Sequence, residues 1–335
     1  MDILLYMIAA FGGGVFGAAV GGLIAFSLMG VAAALGIIVV VAGGSPDLVN
    51  ALAWGPFLGP HISFAGAAAA AAYAMKRGKL STGRDITTGL MGLNSPDVLL
   101  VGGIFGVFGY LLNWALVQIG ASQWVMTIAL AIVLHAMVAR LLFGKTGLFG
   151  TVPAGYNRWL PTEKGSWIPW QSEPLQLLVI GAGYGALCAY VMNLLGPNAL
   201  YICFAFSTIS LFFLEFGIKI PVTHHISLPA EMITIGALAA GASPLTAILW
   251  GITFGLAGAY LGEFFACTFT SYGDSHIDPP ASAITLLTVV QPILLVLGLL
   301  TLSPVVVAII LIVVAAAGYF GMGALRGGKV ALAPV

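Results

Sequence analysis

The side chains that could do chemistry here are few, and they recur in similar settings. His61-Ile62-Ser63 and His225-Ile226-Ser227 each stand where an apolar run begins, the first after Gly59-Pro60 and the second after Thr223-His224. A third variant, Ser275-His276-Ile277-Asp278-Pro279-Pro280, places an acid at the cap and proline at the first helical position. A serine at a helix start can accept from free backbone N–H groups. A helix N-terminus opening within a membrane attracts anionic or carbonyl groups. His61, Ser63, His225 and Ser227 are therefore the candidate solute-binding residues. The competing reading is an ordinary cap at the membrane surface with a wetted histidine. Asn94 joins the set because Asn94-Ser95-Pro96-Asp97 interrupts a long apolar run. A half-helix there would expose backbone that only protein or a water-filled cavity can satisfy.

Carboxylates in apolar sequence are costly and usually functional. Glu231 follows Ser227 by four residues and shares its helix face. Together with Asp97, Glu263, His276 and Asp278 it forms the candidate ion-coupling set. Glu215, four residues before Lys219, is expected to be a surface charge instead. His135 sits mid-helix, where it can bond a neighbouring helix.

Other chemistries find no support. Gly181-Ala182-Gly183-Tyr184-Gly185-Ala186 imitates a dinucleotide fingerprint, but it follows no strand and lies in an apolar helix. Gly144-Lys145-Thr146 ends like a phosphate loop whose leading glycine is replaced by Ala139. Cys188, Cys203 and Cys267 form no CxxC and suit small core positions. No cofactor and no resident metal are expected. The histidines with nearby acids leave a divalent metal open as a substrate, without tight ligand spacing to support it. With almost no soluble loops, catalysis belongs elsewhere and the chain is not expected to be an enzyme.

The elements that must position these residues follow from composition. Of 335 residues, 60% are hydrophobic and 7% charged, and mean hydropathy is +1.09. A soluble fold carries about 25% charge. The chain is thus an α-helical, polytopic membrane protein whose first partner is the bilayer. Eleven basic and eleven acidic residues cancel, which excludes a nucleic-acid partner. Apolar runs lie near 4–28, 30–43, 61–76, 86–118, 122–144, 175–195, 198–216, 223–240, 243–270, 280–300 and 303–325. Lys and Arg cluster at 76–84, 140–164, 219 and 326–329. Loops rich in Lys and Arg face the cytoplasm. That rule predicts an extracytoplasmic N-terminus and a cytoplasmic C-terminus. Met1-Asp2 lacks a basic leader, so the first helix is expected to stay. Residues 145–174, with Trp159, Trp167 and Trp170 among charges, are expected to be an amphipathic connector on the cytoplasmic membrane surface.

Sliding the chain by 164 residues places Val15, Gly17, Ala18 and Gly21 on Val179, Gly181, Ala182 and Gly185, and His61-Ile62-Ser63 on His225-Ile226-Ser227. Ser95-Pro96 repeats as Ser243-Pro244 after a contraction of the basic loop. The expected fold is two five-helix repeats, 1–144 and 175–301, with discontinuous helices, the connector between them and an extra helix and tail at 302–335. An odd number of spans per repeat inverts the second relative to the first. Inverted repeats are common in secondary transporters. The expectation is a secondary transporter or facilitator for a small polar solute, anionic ones included, in a bacterial or archaeal cytoplasmic membrane. A passive channel and a non-catalytic membrane subunit of a larger complex are the alternatives. The chain leaves homo-oligomerisation open.

Overall fold

A computed structural model describes residues 3–328. They form an all-α bundle: α1 (Ile3–Val20), α2 (Gly22–Val41), α3 (Asp47–Leu52), α4 (Ser63–Lys76), α5 (Pro96–Gln118), α6 (Thr127–Phe143), α7 (Pro174–Leu195), α8 (Ile202–Ser210), α9 (Phe212–Glu215), α10 (His224–Ala239), α11 (Pro244–Phe265), α12 (Pro279–Val296) and α13 (Pro304–Leu325). The described residues contain no sheet, only isolated bridges such as Gly83 with Ser275. Eight helical stretches are long and apolar enough to cross a membrane. The chain is an integral membrane protein.

Two boundaries differ from the expected ones, and two helices are short. The first two helices part at Gly21, not near residue 29, because Gly21 takes φ +99° and lies against the Thr87 carbonyl. Few residues other than glycine adopt that conformation. No half-helix precedes α5. Residues 86–93 hold only a short turn at Leu90–Leu93, after which Asn94 turns left-handed (φ 48°). Pro96 disfavours helix in the residue before it, so α5 starts there. Finally, α4 and α10 have 14 and 16 residues. At 1.5 Å per residue they reach about 21 and 24 Å, short of a hydrocarbon core of about 30 Å. Both are enclosed by other helices, and the alanine run of α4 is buried almost throughout.

Small residues set the closest helix contacts. Around α1, α4 and α5, Gly14 lies against Gly102 and Gly106, and a Cβ on Gly109 would overlap the His61 carbonyl oxygen. Around α7, α10 and α11, Gly185 lies against Gly251 and Gly255, and a Cβ on Gly258 would overlap the His225 carbonyl oxygen. Backbones approach this closely only where side chains are absent.

Arginines gather where α11 runs out through a π turn (Ala266–Thr270). Arg158 donates to the carbonyls of Cys267 (3.3 Å) and Thr268 (3.1 Å), Arg140 to that of Phe269, and Arg84 to those of Thr270 (3.3 Å) and Ser271 (3.2 Å). These carbonyls stand at the C-terminal end of the helix, where backbone donors run out and the negative end of the dipole lies. Burial of the Arg84 guanidinium pulls its pKa down from the ordinary value. The connector is irregular apart from a short turn at Pro169–Gln171. It folds back into the bundle, with Trp170 Nε1 donating to the Ile220 carbonyl (2.7 Å) and Gln171 exchanging two hydrogen bonds with Val222. The expected locations of residue 1 and of the tail from 329 fall outside the described residues.

Candidate functional site

Among the described residues, a cavity of about 340 Å³ adjoins one of about 320 Å³. The first is walled by Trp54, Tyr201, Phe204, Met126 and Ile132. The second is walled by Trp167 and Trp170 of the connector, by Phe64 and Leu211, and by Arg84 and Asp85 of the basic loop. Phe26, His224 and Asp278 line both. Those three side chains therefore form the partition where the cavities meet.

Each partition residue is placed by a different element. Phe26 comes from α2, and its ring packs on those of His224 (5.1 Å between centroids), Phe64 (5.4 Å) and Phe204 (6.2 Å). His224 opens α10, is 5% exposed, and its Nδ1 is buried with no partner. Asp278 is the N-cap of α12. Its Oδ2 accepts from the Ala281 N–H (2.7 Å), and its Oδ1 lies 3.0 Å from His276 Nε2. His276 stands edge-on to Phe64 and its backbone N–H donates to the Gly83 carbonyl. The basic loop is thereby fastened to the partition.

At the mouth of the second cavity, Asp85 accepts from the backbone N–H and hydroxyl of Thr87 (3.0 and 2.9 Å) and of Thr88 (2.9 and 2.7 Å). Burial raises its pKa, but the Thr88 and Thr87 hydrogen bonds outweigh that and hold the carboxyl below its ordinary value.

The structure distributes the sequence-derived candidates unevenly. His276 and Asp278 reach the cavities. His61, Ser63, His225 and Ser227, the solute-binding candidates, and Glu231 line neither. His61 is buried beside Gly109 with Nδ1 unpartnered. Ser63 donates to the Leu58 carbonyl (3.0 Å) rather than capping α4. His225 turns toward α11, where Gly262 leaves room for its ring, while Ser227 bonds the Ser207 hydroxyl (3.1 Å). Successive residues on a helix point about 100° apart, so His224 and Leu228 face the first cavity and His225 cannot. Sequence reasoning passed over His224. Its i, i+4 partner Leu228 was the available signal.

The remaining acids have other partners. Glu231 accepts from the backbone N–H groups of Cys203 (2.8 Å) and Phe204 (3.1 Å), so its carboxylate caps α8 from the side. Glu263 pairs with Arg326 (2.6 Å), both fully enclosed. Asp97 pairs with Arg77 (2.9 Å) at a half-exposed bundle end, and Asn94 is exposed nearby.

The chain belongs to a family of unknown function (DUF7973), whose model matches residues 1–165 and 157–309. No curated protein and no solved structure matches it significantly.

Proposed function

We propose that the protein is a secondary transporter or facilitator that passes a small solute between the two cavities, with Phe26, His224 and Asp278 as the site between two inverted halves. The observation carrying this reading is the partition itself: two cavities of similar size separated by three side chains, one from the first half and two from the second. A passive pore would use a continuous polar lining, whereas here the first cavity is walled mainly by apolar and aromatic side chains.

The repeat draws support from matched contacts, and its inversion follows from the odd number of spans in each half. Gly102, Gly106 and Gly109 meet Ala18, Gly14 and the His61 carbonyl as Gly251, Gly255 and Gly258 meet Ala189, Gly185 and the His225 carbonyl. This pairing sets Ala10, Gly14 and Ala18 opposite Gly181, Gly185 and Ala189. The shift of 164 is thus seven residues short in the first helix, two turns along one face. The family model matches the chain over two ranges of similar length, 1–165 and 157–309, which agrees with two copies of one unit. In this reading α4 and α10 are the equivalent short helices, each beginning beside the partition and running away from it in opposite directions.

The test is uptake of a solute panel into proteoliposomes, with and without imposed H⁺ or Na⁺ gradients. Saturable, protein-dependent uptake supports the reading. Non-saturating conductance would replace it with a channel, and flux seen only after copurifying partners are restored would replace it with a complex subunit.

A further inference from the structure

We propose that the solute is an organic cation, a protonated amine or quaternary ammonium with an apolar body, seated with its charge at Asp278 and its body against Phe26. The route rests on the transport reading; the binding does not.

The walls argue for the apolar body. Phe26, Trp54 and Phe204 in the first cavity and Phe64, Trp167 and Trp170 in the second present rings whose faces attract cations, with the polar lining of the first cavity limited to Asn50, Tyr201, His224 and Asp278. Volumes near 300 Å³ suit a small organic molecule. A bare metal ion has no match, because the described residues hold no group of three or more ligating His, Cys, Asp or Glu side chains.

The charges argue for the sign. No lysine lines either cavity. Arg84, the one arginine that does, gives its Nη1 to the carbonyls of Gly165, Thr270 and Ser271. Asp85 is occupied by Thr87 and Thr88. Asp278 differs: each carboxylate oxygen has one protein partner, and an ionised carboxylate can accept about four hydrogen bonds. A carboxylate facing an aromatic cavity is costly unless paired with a cation, and His276 supplies that charge only when protonated.

The experiment is titration of the purified full-length protein in detergent with benzyltrimethylammonium, phenylacetate and benzyl alcohol, followed by tryptophan fluorescence and calorimetry. The cation is expected to bind saturably and at least ~10-fold more tightly than the anion or the neutral analogue, the factor set by about 1.4 kcal/mol of charge pairing. Asp278→Asn keeps a competent helix cap and should lose that preference, and Phe26→Leu should weaken the cation several-fold. Equal binding of all three probes, no cation binding, or an Asp278→Asn variant that retains the preference would overturn the proposal. Should Asp278→Asn fail to fold, wild-type charge selectivity and Phe26→Leu decide. A cation that binds but is never taken up would overturn the transport reading alone. Saturable uptake of another solute that the cation does not inhibit would overturn this proposal alone.

Discussion

Arg326 joins three parts of the chain from one buried guanidinium: Nη2 to Glu263 on α11, Nε to the Trp159 carbonyl (3.0 Å), and Nη1 to the Ser172 carbonyl (2.7 Å). Removing one partner of a buried pair costs about 3–5 kcal/mol. Arg326→Met strands three acceptors and Glu263→Gln disturbs one. The melting temperature in detergent should therefore fall further for Arg326→Met; an equal or reversed order would contradict the assignment. Asp85 gives a pH-dependent counterpart. Its folded pKa lies below the ordinary carboxyl value of about 3.9. The stability it adds is therefore complete above that value and is lost as pH falls through the folded one. The melting-temperature gap between wild type and Asp85→Asn should stay constant from pH 7 to 5 and narrow below about 4. A gap that widens on acidification would reverse the sign. At this scale the sequence was legible in part. Asp278 and His276 were recognisable because an acid, a histidine and two prolines stand together. Glu231 was misleading, since the N–H groups it caps belong to α8, 27 and 28 residues away.

Each of the eleven apolar runs holds a helix, because burial in lipid or protein makes hydrophobic length nearly sufficient evidence for one. What hydropathy could not supply was the break at Gly21, set by a contact with Thr87, or the two-turn register difference between α1 and α7. Several small residues on one helix face offer equivalent packing notches, and only the partner helix chooses among them. The chosen notches make a comparison of variants. Gly109→Ala and Gly258→Ala should each destabilise by about 1–3 kcal/mol through overpacking. Gly183, on the same helix as Gly185 but with open space around its Cβ position, should tolerate alanine or gain up to about 1 kcal/mol from helix propensity. Thermal unfolding of the three variants measures this, and a costly Gly183→Ala beside neutral partners would refute the packing.

Across the whole molecule, the hydrogen-bonded arginines, the connector and the loop before α5 assemble at one end of the bundle, the end toward which the second cavity lies. If the positive-inside tendency governs insertion, a cysteine at position 79 in intact cells should react with impermeant maleimide only after permeabilisation. Reaction from outside would invert the orientation. None of the cavity geometry was available from the sequence, because the partition joins residues 26, 224 and 278 through tertiary packing alone. The most direct test is counterflow in proteoliposomes preloaded with unlabelled small organic cations, anions or neutral solutes, comparing wild type with Ala281→Trp. Ala281 is a small residue of α12 facing the first cavity one turn from Asp278, and an indole there would fill the space beside the partition. The account predicts saturable counterflow of one solute class by the wild type and its loss in a folded Ala281→Trp variant. Counterflow undiminished by that substitution, or none above empty vesicles for any class, would contradict it.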